Sequence, residues 1–192
     1  MTDARPEIRP AEAHAQLSRF HVVDVREPHE FQGALGHIPG AESIPLGRID
    51  AAAERLRGGR EVLAVCRSGQ RSARACQRLA ELGVAPPTNL AGGMIAWSRE
   101  GLPVERRAME SLEQLLGSLG AWLAQVTGRN LLEAQHRLEA LLQEAGASWD
   151  EPTAAGVDRA LDGLRASFEA RQPAPPDLDL VLQAYRKDLA LL

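Results

Sequence analysis

The run Glu61-Val62-Leu63-Ala64-Val65-Cys66 constrains this chain more than any other stretch. An almost unbroken apolar run of this length is the pattern of a strand buried on both faces, which a parallel sheet covered by helices provides. It feeds the polar loop Arg67-Ser68-Gly69-Gln70 and then a helical pattern from about Arg71 to Leu82, with Gly83 as its stop. The rest of the first half repeats this alternation. Phe20 to Arg26 is a β-branched run halted by Pro28, and Glu42-Ser43-Ile44-Pro45 is a short strand candidate. Ile49 to Leu56 reads as a helix closed by Gly58-Gly59. Thr88-Asn89-Leu90 is a last strand candidate, followed by Gly92-Gly93 and a helix through Trp97. Strands alternating with helices predict an α/β fold.

After Pro103 the strand signals stop. Met109, Leu112, Leu116, Leu119, Leu123 and Val126 recur at helical spacing until Gly128. Asn130 with Glu133 three residues on resembles a capping box opening a second helix with Leu131, Leu138, Leu141 and Leu142. A third helix is predicted over Thr153 to Ala170. After Pro173-Ala174-Pro175-Pro176, Asp177 is placed to cap a fourth, carrying Leu180, Val181, Ala184 and Leu189. The charge changes at the same place. Residues 1–107 carry 15 basic and 13 acidic side chains, whereas 108–192 carry 7 and 13. Two domains follow: 1–107 as the α/β domain and 108–192 as an all-α, bundle-like module. Its amphipathic helices must bury their apolar stripes, so it is predicted to support a homodimer or to dock a protein partner.

The net charge of −4 argues against nucleic acid as a partner. The N-terminus has no apolar run of the secretory kind, and no segment is long and apolar enough to span a membrane, so a membrane partner is not expected. Two cysteines are too few for a disulfide framework, which points to the reducing cytoplasm. His14, His21 and His29 lack ligand-type spacing, so no metal site is expected.

The chemistry concentrates at Cys66. A cysteine at the end of a buried strand, ahead of a short polar loop and a helix, sits where loop N–H groups and a helix N-terminus gather. Arg67 and Arg71 add positive charge, and Gly69 permits the backbone reversal. Together these favour an anionic, reachable sulfur. Other conspicuous residues have plainer readings. Cys76 lies on a helical face with Ser72, Leu79 and Leu82 and is read as core. His37 is read as a turn-fixing hydrogen-bonder, Gly92-Gly93 as a tight connection and Trp97 as a core anchor. Trp122, Trp149 and Phe168 are read as bundle core or docking residues. Asp24 and Arg26 are read as support, paired with each other or bracing the loop.

Four stretches, in order and at matching spacing, resemble a single-domain rhodanese: Asp24-Val25-Arg26-Glu27, Gly36-His37-Ile38-Pro39-Gly40-Ala41, Cys66-Arg67-Ser68-Gly69-Gln70-Arg71-Ser72, and Leu90-Ala91-Gly92-Gly93-Met94-Ile95-Ala96-Trp97. The resemblance covers roughly residues 6–105. It implies a five-stranded, mostly parallel sheet with helices on both faces, and a sulfurtransferase that needs no cofactor. Cys66 would take the outer sulfur of a thiosulfate-like donor as a persulfide and pass it to a thiol or cyanide. Arg67, Ser68, Gly69, Gln70, Arg71 and Ser72 would bind the donor. Ser43 departs from the Asn that related sequences often carry near that position, a local hydrogen-bond change. Two alternatives stand beside this reading. One is a sensing or scaffold module with a partner-binding tail. The other is a cysteine-dependent phosphatase or arsenate reductase, which C-x4-R spacing disfavours because the resembling phosphatases use C-x5-R.

Overall fold

Strand β4 (Glu61–Val65) carries four consecutive residues, Val62 to Val65, with almost no exposed surface. The computed structural model, which describes residues 6–170 and 173–192, shows why. β4 is flanked on one side by β2 (Phe20–Asp24) and on the other by β5 (Thr88–Leu90). With β1 (Glu7–Ile8) and β3 (Glu42–Ser43) they form a five-stranded sheet in the order β1-β5-β4-β2-β3, with every pair parallel. The expected "mostly parallel" sheet is entirely so. From β2 the chain winds outward to β3, and from β4 it winds the other way to β5. The C-terminal ends of β2 and β4 therefore flank the point where the winding reverses, the usual ligand crevice of open α/β sheets.

Helices α3 (Ile49–Leu56) and α4 (Gln70–Glu81) supply one core layer, in which Ile49, Ala53, Leu56, Ala75, Cys76 and Leu79 meet Val23, Val25, Val62 and Ala64 of the sheet. Strand residues of opposite parity, Val22, Leu63 and Val65, are buried on the other face. Helices α1 (Pro10–Ala15) and α5 (Gly93–Arg99) pack on each other, His14 lying edge-on to the fully buried Trp97. The Trp97 indole donates to the Pro103 carbonyl at 2.8 Å, which anchors the end of this unit. Two helices escape the periodicity argument because they are too short for it. They are α1 and the four-residue α2 (Pro28–Phe31), where Pro28 halts β2 and also opens the helix.

The chain divides into two compact units at Arg106/Arg107. Among its described residues the second unit is entirely helical: α6 (Leu112–Thr127), α7 (Leu131–Glu144), α8 (Ala154–Glu169) and α9 (Leu178–Leu189). Packing runs α6 to α7, α7 to α8, α8 to α9 and back from α9 to α6, closing a four-helix arrangement. Leu116, Leu119, Leu123, Leu138, Leu142, Leu161, Leu164, Val181 and Leu182 fill its centre. Ser111, Asn130 and Thr153 cap the first three helices by accepting the N–H three residues on. Two expectations change. Met109 precedes α6 instead of lining it. Asp177 occupies the cap position of α9 but makes no side-chain cap; it is buried and accepts the Trp122 indole N–H at 3.2 Å. Burying the indole N–H requires an acceptor, and that need outweighs the helix cap. Among the described residues, no helix is long and apolar enough to cross a membrane.

Candidate active site

Cys66 is the first residue beyond β4, and α4 begins four residues later. Between them the chain reverses through Gly69, whose φ of 91° lies in the left-handed region. A Cβ there would stand 3.2 Å from the Gly92 nitrogen and 3.3 Å from the Leu90 carbonyl oxygen. This turn swings the Gly69 N–H onto Cys66 Sγ at 3.1 Å, and the first turn of α4 brings the Ser72 hydroxyl to the same sulfur at 3.2 Å. Two donors therefore converge on one sulfur at the N-terminus of α4, where backbone N–H groups gather.

The other side of the loop rests on Gly92-Gly93. The N–H of Met94 donates to the Cys66 carbonyl at 2.8 Å, and that of Ile95 to the Arg67 carbonyl at 3.1 Å. In a trans peptide the C=O and the next N–H point in opposite directions. Anchoring these two carbonyls on α5 thus turns the N–H groups of Arg67 and Ser68 away from α5. Gly93 makes the approach possible, since a Cβ on it would lie 2.2 Å from the Cys66 oxygen. The tight connection read from the sequence is also the seat of the cysteine loop.

Two ion pairs border this end of the sheet. Val25 donates its N–H to the Val65 carbonyl, so the residues after β2 run beside Cys66. There Asp24 and Arg26, each 1% exposed, form a forked pair with Nη2–Oδ2 of 2.6 Å, and Arg26 also reaches the Gly36 carbonyl at 2.6 Å. Asp24 and Arg26 thus pair with each other, one of the two expected arrangements, while Arg26 braces the Gly-His-Ile-Pro turn where the cysteine loop was expected. His37 stacks on Phe31, and its backbone pairs with that of Glu105. The second pair joins Arg71 to Glu30 of α2, with Nη1–Oε2 of 2.7 Å and Nη2–Oε1 of 2.6 Å. This contact bears directly on the expectation that Arg71 presents its guanidinium to an anion, because a carboxylate already holds both of its terminal nitrogens. The Glu30 hydrogen bonds, more than attraction from Cys66 and Asp24, raise the Arg71 pKa further above its ordinary value.

Arg67 is half-buried on the loop, while Ser68 and Gln70 are exposed. Cys66 itself is only 1% exposed, which corrects the expectation of an openly reachable sulfur. The physical reason is that Cys66 ends a buried strand and packs with Val25, Ala64 and Ala75 in the sheet–helix core. Cys76 lies in that same core. Among the described residues, no group of three or more His, Cys, Asp or Glu is arranged to hold a metal ion. Glu30 escaped the sequence reading, and so did the part that Gly93 plays beneath the cysteine loop. The first had a signal, since Glu27 with Glu30 three residues on is a capping pattern, and the structure shows both of its hydrogen bonds.

Residues 9–100 match the model of the rhodanese-like domain family. A protein described as a sulfurtransferase from Allochromatium vinosum is 42% identical over 83 residues, 43% of this chain and 76% of the relative. The putative sulfurtransferase YtwF of Bacillus subtilis is 41% identical over 84 residues, 44% of this chain and 79% of the relative. Among solved structures, a rhodanese-related protein from Thermoplasma volcanium is 29% identical, with a TM-score of 0.49 over 53% of this chain and 99% of that one. Through its first unit the chain belongs to the rhodanese-like family.

Proposed function

We propose that the first unit is a sulfurtransferase that carries sulfane sulfur as a persulfide on Cys66. The observation that carries this reading is the convergence of the Gly69 N–H and the Ser72 hydroxyl on Sγ at the end of β4. The two sulfurtransferase-named relatives support the same reaction class. The anionic Sγ attacks the outer sulfur of a thiosulfate-like donor. A new S–S bond forms, the donor's own S–S bond breaks, and its electron pair leaves with sulfite. The terminal sulfur of the persulfide then carries the negative charge, which loop N–H groups and Arg67 stabilise. A thiol, or cyanide in an assay, attacks that terminal sulfur, and the electron pair returns to Sγ. Asp24 and Arg26 touch no reacting atom and hold the loop's surroundings in place.

The near-complete burial of Cys66 favours a second reading, in which the domain binds a partner and does no chemistry. One experiment separates the two. After thiosulfate treatment, mass spectrometry of the intact protein is expected to show one added sulfur, mapped to Cys66 and absent from Cys66→Ser. No added mass under any donor concentration would leave the binding module as the surviving reading.

A further inference from the structure

Glu30 projects from α2 toward Arg71 on the first turn of α4, and its side chain is 6% exposed against 29% for the arginine. Both carboxylate oxygens are engaged by the guanidinium, a planar fork matched to a planar fork. The carboxylate is fixed from behind as well, because Oε2 accepts the Glu27 N–H at 3.1 Å within the capping box of α2. Arg26 is likewise bound to the buried Asp24. Two of the guanidinium groups at this end of the sheet are thus each compensated by a carboxylate.

Resting on the sulfur-transfer reading above, we propose that Glu30 determines donor specificity by acting through Arg71. It withdraws one positive charge from the Cys66 loop and so fits the loop to donors carrying a single negative charge rather than to dianions. Thiosulfate and an alkanethiosulfonate offer the same reactive sulfur on a sulfonyl centre but differ by one unit of charge. In both, Sγ bonds to the outer sulfur, the donor S–S bond breaks, and the electron pair leaves with sulfite or with the sulfinate. Peptide dipoles serve either donor. An Arg71 guanidinium released from Glu30 would serve the dianion more.

The test uses the full-length protein, thiosulfate and methanethiosulfonate as donors, and cyanide as acceptor at fixed ionic strength. Glu30→Gln is suited to it, because glutamine can keep the capping box while the charge is lost. The wild type should show the higher kcat/KM with methanethiosulfonate. Glu30→Gln should shift the ratio toward thiosulfate by about tenfold, chiefly through KM, the scale of one added charge-assisted hydrogen bond. Its thiosulfate kcat/KM should also fall more steeply with salt. Glu30→Asp, which keeps the charge, should keep the wild-type ratio, and Arg71→Gln should shift it in the opposite direction. An unchanged ratio in Glu30→Gln, or shifts of the same sign in Glu30→Gln and Arg71→Gln, would overturn the assignment to Glu30. A wild-type protein loaded by neither donor would instead overturn the sulfur-transfer reading beneath it.

Discussion

The Ser72 hydroxyl donates to Cys66 Sγ across 3.2 Å, joining the first turn of α4 to the end of β4. Because this donor meets the sulfur directly, Ser72→Ala is expected to slow persulfide formation by about tenfold, the scale of one hydrogen bond to a charged group. Single-turnover loading followed by mass spectrometry reads the rate. A Ser72→Ala rate equal to wild type would remove the hydroxyl from the reaction. Ser72→Thr, which keeps the hydroxyl, should lose less.

Gly93 is the position where the smallest added group does the most harm. A methyl group would come 2.2 Å from the Cys66 oxygen and 2.8 Å from the Arg67 carbonyl carbon, both backbone atoms that cannot swing aside. The glycine also holds a φ of 56°, costly for a side-chain-bearing residue. Gly93→Ala should therefore destabilise the fold by roughly 1–3 kcal/mol or more and abolish loading together. Urea unfolding and the mass shift check the two effects. Gly40→Ala is the control: it has a similar φ with nothing within 4 Å of a built Cβ, so it should show the strain cost with loading retained.

The Asp24–Arg26 pair is 1% exposed on both sides. Arg26→Met leaves a carboxylate buried without its partner and should cost about 3–5 kcal/mol. The double replacement Asp24→Asn with Arg26→Met should recover part of that loss, since it removes the orphaned charge. Denaturant midpoints of the three proteins decide the matter. A double mutant less stable than Arg26→Met alone would show that Arg26 acts through packing and the Gly36 carbonyl, with little from its charge.

At the sheet edge, Glu42 receives hydrogen bonds from Arg55 at 2.6 and 3.0 Å and contacts His21 at 2.8 Å. Its pKa is lowered, chiefly by the Arg55 hydrogen bond, which outweighs the opposing effect of burial, and to a lesser degree by the His21 hydrogen bond. A carboxylate whose folded pKa lies below its unfolded value contributes stability above the unfolded pKa, and loses it as pH falls through the folded one. The Tm difference between wild type and Glu42→Gln should thus be present at pH 7 and shrink as pH drops below about 4. The side chain is partly exposed, so a difference of only a few degrees is expected. A difference that grows toward acid would contradict this account.

Much of the first unit was legible because it is written in local patterns. The apolar run into Cys66, the helix stop at Gly83 and the Ile49–Leu56 helix all match observed elements to within a residue or two. β1 was not legible: two residues cannot display a period, and Glu7–Ile8 is a strand only because Asn89 and Ala91 donate to Pro6 and Ile8. The site divides similarly. Cys66, Gly69 and Ser72 lie within seven residues, so one loop and one helical turn bring them together. Glu30 meets Arg71 across 41 residues, and no local rule connects a helix cap on α2 to the cysteine loop.

The order of residues by itself determined where the Cys66 sulfur stands, which elements carry it and where the helical half begins. Each of these follows from spacing along the chain and from the need to bury apolar faces. Only the tertiary structure decided how far that sulfur is buried, what the loop leans on and which arginine is already held by a carboxylate. Those properties depend on the closeness of segments far apart in sequence, and that closeness exists only once the sheet has stacked β2, β4 and β5 side by side.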